Sequence, residues 1–403
     1  MKFSQTMMAS TLFIGLVIPT LSSAESVNNH NSIISPITQK IAASKPGTIL
    51  SIQIQTPTPL LQHASEKLLV TYRSRGIKNE PIVTSGYILL PKANPPKDGW
   101  PMLAWAHGTT GVADTCAPSG NFPDGPVHAY QNIADKALDA WLSKGYAVVA
   151  TDYQGLGTPG GHPYMDATSQ LHSVVDSVRA LYSLSPKKFN KKWYVMGHSQ
   201  GGAAALNVAA KGQKDAPEFN LMGAISLAPG GYKYEGIAEY VLANPRPDVN
   251  VAAFFPIVLL GAEAANSQLN PNLVVSNDMK NLINTGRKRC LSELQADLKT
   301  PPNSIFKPNA NLTPLVQYLK KQSIEHMSPT IPLMIIQGTK DQLVDYQGTY
   351  AYYQQQCKSG KPVQFHRLEN GDHRDSLRLS ENYIGDFIQQ IEQNKNFSSC
   401  KSQ

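Results

Sequence analysis

The sequence predicts an α/β fold, an open and mostly parallel sheet with helices on both faces. Three observations lead there. Short apolar runs alternate with helix-length stretches, the later runs are apolar almost throughout, and a glycine-framed serine stands where one run meets a helical stretch.

In chain order, Met1–Ala24 carries one positive charge (Lys2), an apolar run from Met7 to Ile18 and the small residues Ser22-Ser23-Ala24. That is the layout of a secretory signal peptide, too short to span a bilayer. Its removal leaves 379 residues starting at Glu25. Thr38–Pro59 is rich in Ser, Thr and Pro and reads as an arm lying on the domain. Strands are predicted at Leu68–Tyr72, Ile82–Leu90, Met102–Ala106, Ala147–Thr151, Trp193–Met196, Met222–Leu227, Leu333–Gln337 and Val363–Leu368. The first two alternate, as an antiparallel edge does; the others suit parallel strands covered on both faces. Helices are predicted at Ala129–Leu142, Ala167–Leu184, Ala203–Ala210, Tyr346–Gln356 and Leu377–Ile391.

One interval breaks the rhythm. Residues 229–330 separate two successive strands, where a parallel crossover needs only about a dozen. The excess reads as an inserted, mainly helical cap. The division expected is a core of residues 25–230 and 325–403 and a cap of 231–324. Within the cap, Val251–Ala262 is apolar on every side and must be buried. It either plugs the cap's own core or lines a tunnel for an apolar substrate.

Hydrophobic content of 41% and charged content of 16% describe a globular chain, not a disordered one. The formal net charge is +7, but Lys and Arg are scattered, with short clusters such as Lys187-Lys188 and Lys191-Lys192, so no nucleic-acid stripe is expected. No segment reaches the roughly 18–20 apolar residues of a membrane span. The four cysteines, Cys116, Cys290, Cys357 and Cys400, have no C-x-x-C spacing. In an exported chain they point to two disulfides, with three pairings open.

Gly197-His198-Ser199-Gln200-Gly201 is a G-x-S-x-G motif between a strand and a helix. A nucleophile needs such a turn: it exposes the serine and aims the N–H of Gln200 at a bound carbonyl. A serine nucleophile needs a base, and the base needs an orienting acid. Asp341 stands just past one strand, in Gly338-Thr-Lys-Asp341, and His373 past the next, in Gly371-Asp-His373. Asp345 and Asp372 are the rival acids. His366 lies within a strand, His172 and His326 have no strand context, and His198 reads as a pocket wall. The turn His107-Gly-Thr-Thr-Gly follows an earlier strand and supplies a second oxyanion donor, Thr109 first and Thr110 next; His107 itself reads as a structural hydrogen-bonder.

Gly155-Leu-Gly157-Thr-Pro-Gly160 matches G-x-G-x-x-G, but Pro159 removes a donor and Gly161-His162-Pro163 delays any helix. Asp176, at the spacing of a ribose-binding acid, falls in helical sequence. Nucleotide binding is therefore not expected, and no cofactor or metal ligand set stands out.

Together with Asp152-Tyr-Gln-Gly-Leu-Gly, these motifs resemble the secretory lipase family of α/β-hydrolases, over roughly Val70 to Ile391. The resemblance implies the α/β-hydrolase fold, a helical cap, the triad Ser199, Asp341 and His373, oxyanion donors at Gln200 and in the 108–110 turn, and the disulfides Cys116–Cys290 and Cys357–Cys400. The function expected is hydrolysis of small-molecule or lipid esters by an exported enzyme, secreted or periplasmic, with transient contact at a lipid interface. Fold and triad do not fix the acyl acceptor, so a serine peptidase or acyltransferase stays open, as does a non-catalytic binding module. Two N-x-S/T sequons, Asn311 and Asn396, matter only in a eukaryotic host.

Overall fold

The computed structural model describes residues 41–244, 246–393 and 398–400. The signal-peptide reading of Met1–Ala24 and the Asn396 sequon lie outside the described residues.

Nine strands form one sheet in the order β1-β2-β3-β5-β4-β6-β7-β8-β9. They are β1 (Ile49–Gln55), β2 (Ala64–Arg75), β3 (Pro81–Pro91), β4 (Trp100–Ala106), β5 (Ala147–Thr151), β6 (Phe189–His198), β7 (Asn220–Leu227), β8 (Leu333–Gly338) and β9 (Val363–Leu368). β1, β2 and β3 pair antiparallel, as β3 does with β5; all pairs from β5 to β9 are parallel. β1 corrects the reading of 38–59 as a mere arm. Its Ile-Gln-Ile-Gln alternation is genuine but short, and Ile52 and Ile54 are exposed on an edge strand, so composition hid it.

Pleating sorts each apolar run onto two faces. Met102, Ala104 and Ala106 of β4 join one core, with α2 (Ala167–Leu184) and α3 (Gln200–Asp215). Leu103 and Trp105 join the other, with α1 (His128–Ser143) and α11 (Glu381–Glu392). The near-continuous hydrophobicity of these strands thus has a cause: both faces are covered.

Between β7 and β8 the described chain forms α4 (Gly236–Ala243), α5 (Val249–Ala265), α6 (Asn277–Gly286), α7 (Leu291–Asp297) and α8 (Thr313–Gln322). Asp248 caps α5 by accepting from the Asn250 N–H. Phe255, Ile257, Val258, Leu259 and Leu260 are all buried, in a core continuous with the α2/α3 side of the sheet, and Phe255 meets Phe306 edge-on at 5.7 Å. The burial of these side chains accounts for the apolar circumference of α5.

After β8 come α9 (Tyr346–Lys358) and α10 (Asp375–Arg378). The single helix expected at Leu377–Ile391 is broken into α10 and α11. Ser380 Oγ donates to the Leu377 carbonyl and ends the first turn, so the chain restarts at Glu381. Cys116–Cys290 joins the loop beyond β4 to the N-terminus of α7, and Cys357–Cys400 joins α9 to the C-terminal tail, each with Cα atoms 5.4 Å apart.

One buried ion cluster fastens α2 to β2. Asp176, fully buried, accepts from Ser74 Oγ, from the backbone N–H, Nε and Nη2 of Arg75, and from Arg179 Nη1. Arg75 also reaches Asp215 in a bidentate pair at 2.9 and 2.6 Å. Burial alone would raise the Asp215 pKa, yet the Arg75 hydrogen bonds hold it below the usual carboxylate value. Asp176→Ala leaves two half-buried guanidinium groups short of an anion and is expected to cost about 3 kcal/mol in urea unfolding, with Asp215→Ala costing clearly less.

Candidate active site

The site is assembled at the C-terminal rim of the parallel strands, where open α/β sheets place ligands. β6 turns into α3 through Ser199, whose φ of +59° and ψ of −115° lie outside the ordinary regions for a side-chain-bearing residue. The turn is possible because its neighbours are glycines. A Cβ on Gly197 would stand 2.0 Å from the Gly201 carbonyl oxygen, and one on Gly201 1.9 Å from that of Ala106. The Ser199 N–H donates to Leu227 O at 2.8 Å, fixing the turn to β7. Ser199 is half-buried, and its Oγ makes no hydrogen bond to a described residue.

The loops after β8 and β9 dock on each other, with the Lys340 N–H donating to Gly371 O at 3.0 Å. Across this contact His373 Nδ1 donates to Asp341 Oδ2 at 2.7 Å. The buried Asp341 carboxylate is saturated: Oδ2 also accepts from Gln337 Nε2, and Oδ1 from the N–H groups of Leu343 and Val344. Its orientation is set by four donors, leaving His373 Nε2 free to face outward. The rival acids are otherwise engaged. Asp345 caps α9 through the N–H groups of Gln347 and Gly348, and Asp372 accepts from those of Arg374 and Asp375. Among the other histidines, His172 is tied to Gly76 O and His366 lies 4.6 Å from the Tyr383 ring. The rings of His198 and His373 are 4.6 Å apart, which puts His373 beside the elbow.

Gln200 opens α3, so its N–H is one of the unpaired donors of a helix N-terminus. In the turn after β4 the Gly108 N–H is consumed by Tyr130 OH at 2.7 Å. That removes Gly108 from the 108–110 donor set and leaves Thr109 and Thr110, whose N–H groups have no acceptor among the described residues. Thr109 Oγ1 is hydrogen-bonded to Tyr164 OH at 2.8 Å, and Thr110 O accepts from the Leu291 N–H, next to Cys290. The turn is thus braced from α1, from the loop before α2 and from α7.

Behind the rim lies a buried polar layer. His107 Nδ1 meets Gly108 O at 2.7 Å and its ring packs on Tyr153; burial pushes its pKa down to about 4. Asp152 accepts from Ser85 Oγ and from the N–H and Oγ of Ser119, and burial pushes its carboxyl upward. The glycine loop at 155–160 leads to α2 only at Ala167, and Asp176 serves the ion cluster. Among the described residues no His/Cys/Asp/Glu group is placed to hold a metal. Sequence reasoning passed over Tyr130 and Tyr164. Each is an aromatic in an ordinary-looking stretch, and nothing local marks a hydroxyl aimed at a distant turn.

The architecture is that of the α/β-hydrolases. It superposes on Candida antarctica lipase A in its closed state with a TM-score of 0.73 at 18% identity, covering 90% of this chain and 85% of that one. It likewise matches the rice cell wall degrading esterase LipA from Xanthomonas oryzae with a TM-score of 0.66 at 19% identity, covering 87% and 98%. The secretory lipase family model matches residues 129–383, and the chain belongs to that family. Relatives include lipase A of Moesziomyces aphidis, 23% identical over 75% of this chain and 67% of that protein, and a secreted triacylglycerol lipase of Malassezia furfur, 22% identical over 89% and 74%. A Mycobacterium tuberculosis protein named a probable inactive lipase is 24% identical over 73% and 67%.

His162 provides a pH test of the layer beneath Gln200. Its Nδ1 donates to Gln154 O, so Nε2 accepts from the Gln200 amide at 3.0 Å, and burial drives its pKa down to about 3. The unfolded side chain titrates near 6.5. Between these values the unfolded state binds a proton that the folded state refuses, so this contribution is whole above about pH 6.5 and falls with pH. Unfolding free energies of His162→Gln should therefore lose about 2 kcal/mol less than wild type between pH 7 and pH 5. Parallel curves for the two proteins would reject a neutral buried His162.

Proposed function

We propose that the chain is an exported serine hydrolase of carboxylic esters, a lipase or esterase acting through Ser199, His373 and Asp341. One observation carries the reading: a serine held at positive φ on a strand-to-helix turn, beside a histidine whose far nitrogen is fixed by a buried, fully hydrogen-bonded aspartate. Family membership and the two disulfides support export. Residues 25–230 and 325–403 are proposed as the hydrolase core and 231–324 as the cap over it.

In the reaction His373 Nε2 takes the Ser199 proton as Oγ attacks the ester carbonyl, and Asp341 keeps the ring in the Nδ1–H tautomer and stabilises its cation. The oxyanion sits on the N–H groups of Gln200 and of Thr109, with Thr110 the alternative second donor. The protonated His373 then gives its proton to the leaving alkoxide, and water deacylates the enzyme by the same route. Ser199 Oγ and His373 Nε2 are not hydrogen-bonded to each other in the structure; such bonds commonly tighten only in the substrate complex. No step calls on a cofactor.

Two outcomes test the proposal. Ser199→Ala should lower kcat toward p-nitrophenyl esters by about 10⁴-fold and abolish fluorophosphonate labelling while the melting temperature holds, with His373→Ala similar and Asp341→Ala somewhat less severe. Wild type that neither labels nor hydrolyses esters would favour a non-catalytic binding protein, and faster turnover of peptides than of any ester would favour a peptidase. Because α5 is buried in the core it shares with α2 and α3, Leu260→Asp should lower the melting temperature and depress short- and long-chain esters alike. Selective loss of long chains at unchanged melting temperature would instead mark α5 as the wall of an acyl tunnel.

A further inference from the structure

A chain of hydrogen bonds crosses the rim from the oxyanion turn to the base. The Gly108 N–H donates to Tyr130 OH at 2.7 Å, Tyr130 OH meets His198 Nδ1 at 3.1 Å, and His198 Nε2 meets the His373 carbonyl oxygen at 3.0 Å. That carbonyl also accepts from Ser376 Oγ at 2.8 Å, and His373 closes on Asp341 through Nδ1. Tyr130 and His198 stack at 5.8 Å between ring centroids, and His198 is almost wholly buried.

The direction of every proton in this chain is dictated by its ends. A backbone N–H can only donate and a carbonyl can only accept. Nε2 of His198 must therefore carry hydrogen for His373 O. The Tyr130 oxygen accepts from Gly108, so its own proton goes to His198 Nδ1, which must be bare. Neutral, Nε2-protonated His198 is the one state that satisfies all three links. A cationic ring would turn Nδ1–H on Tyr130 and strand the phenolic proton in a buried site. The surroundings act in the same sense: burial first, then His373 and the cations Arg374 and Arg378, hold His198 well below its ordinary pKa, and burial pushes Tyr130 upward, with only partial relief from its Gly108 bond and Arg374.

We propose that Tyr130 and His198 are positioning residues that set the oxyanion turn and the catalytic histidine at a fixed separation. This deepens the ester-hydrolase reading and rests on it. The turn after β4 and the loop after β9 belong to strands that do not touch, and each could shift alone. The relay pins the peptide plane preceding the Thr109 N–H at one end and the backbone of His373 at the other. Oxyanion donor and base then keep one geometry while charge develops between them, and a misplacement of about 1 Å in such an arrangement costs on the order of 100-fold in rate.

The test combines kinetics with a spectrum that needs no turnover. Tyr130→Phe deletes one oxygen and keeps the ring; it should reduce kcat on a soluble p-nitrophenyl ester by about 10- to 100-fold with KM nearly unchanged. His198→Gln retains a donor for His373 O and should keep more activity than His198→Leu, and Tyr130→Phe/His198→Leu should be scarcely worse than His198→Leu alone. Should His198→Leu fail to fold, Tyr130→Phe and the spectrum decide. In ¹⁵N-histidine spectra of wild type, His198 should still appear as the neutral Nε2–H tautomer at about pH 6, below the ordinary histidine pKa, and Tyr130→Phe should mix the tautomers. Unchanged kcat in Tyr130→Phe, an equal loss carried entirely by KM, or a wild-type His198 that is cationic at pH 6 or protonated at Nδ1 would overturn the relay. Because the tautomer is read in the resting protein, a relay that fails there is distinguished from a protein that is no esterase, which would show the tautomer and hydrolyse nothing.

Discussion

Everything at the rim depends on how closely the first turn of α3 approaches the sheet. Gly197 and Gly201 bring that turn against the end of β4, at a distance no side chain would allow. From this single contact come the strained backbone at Ser199, the bare N–H of Gln200 and the location of the turn that begins at His107. The strain is tolerable because it is over-determined: hydrogen bonds to Leu227 and from Gly230 hold the Ser199 peptide on both sides. A site of this type is first a packing problem and only then a chemical one.

The remaining parts are brought to that contact by separate loops, and each is braced from outside its own strand. Asp341 is oriented by donors from its own loop and from β8, so its carboxylate is preset before His373 arrives. The turn after β4 is held by Tyr130, Tyr164 and Leu291, three side chains or backbone groups from three different elements. The crossover between β7 and β8 reaches this rim through two backbone hydrogen bonds, Gly230 N–H to Ser199 O and Leu291 N–H to Thr110 O, and through the Cys116–Cys290 bridge.

What could be read in the sequence follows from range. The strands, the elbow and the positions of Asp341 and His373 are local patterns: an apolar run, then glycine, then the candidate residue. β1 escaped because its alternation is brief and sits in Ser/Thr/Pro-rich sequence, and the break between α10 and α11 escaped because one serine hydroxyl replaced a helical hydrogen bond. Tyr130 meets His198 across 68 positions, and the periodicity of α1 marks it as one more partly covered aromatic. His198 occupies the variable place in its motif, so only the fold shows that it touches both Tyr130 and His373. Disulfide pairing was open from spacing alone; the family likeness implied the pairing that the structure has.

That pairing bears on how the protein is made. Cys116 joins Cys290 and Cys357 joins Cys400, so the two covalent loops follow one another along the chain without overlapping. A chain that emerges amino end first offers Cys116 its native partner before either of the other thiols exists outside. By then β4 through β7 and α5 have also emerged, and the sheet can assemble around the waiting thiol. Cys357 then has only Cys400 left to meet. Vectorial emergence thus favours the native bridges, each pair being complete before a competing thiol follows it.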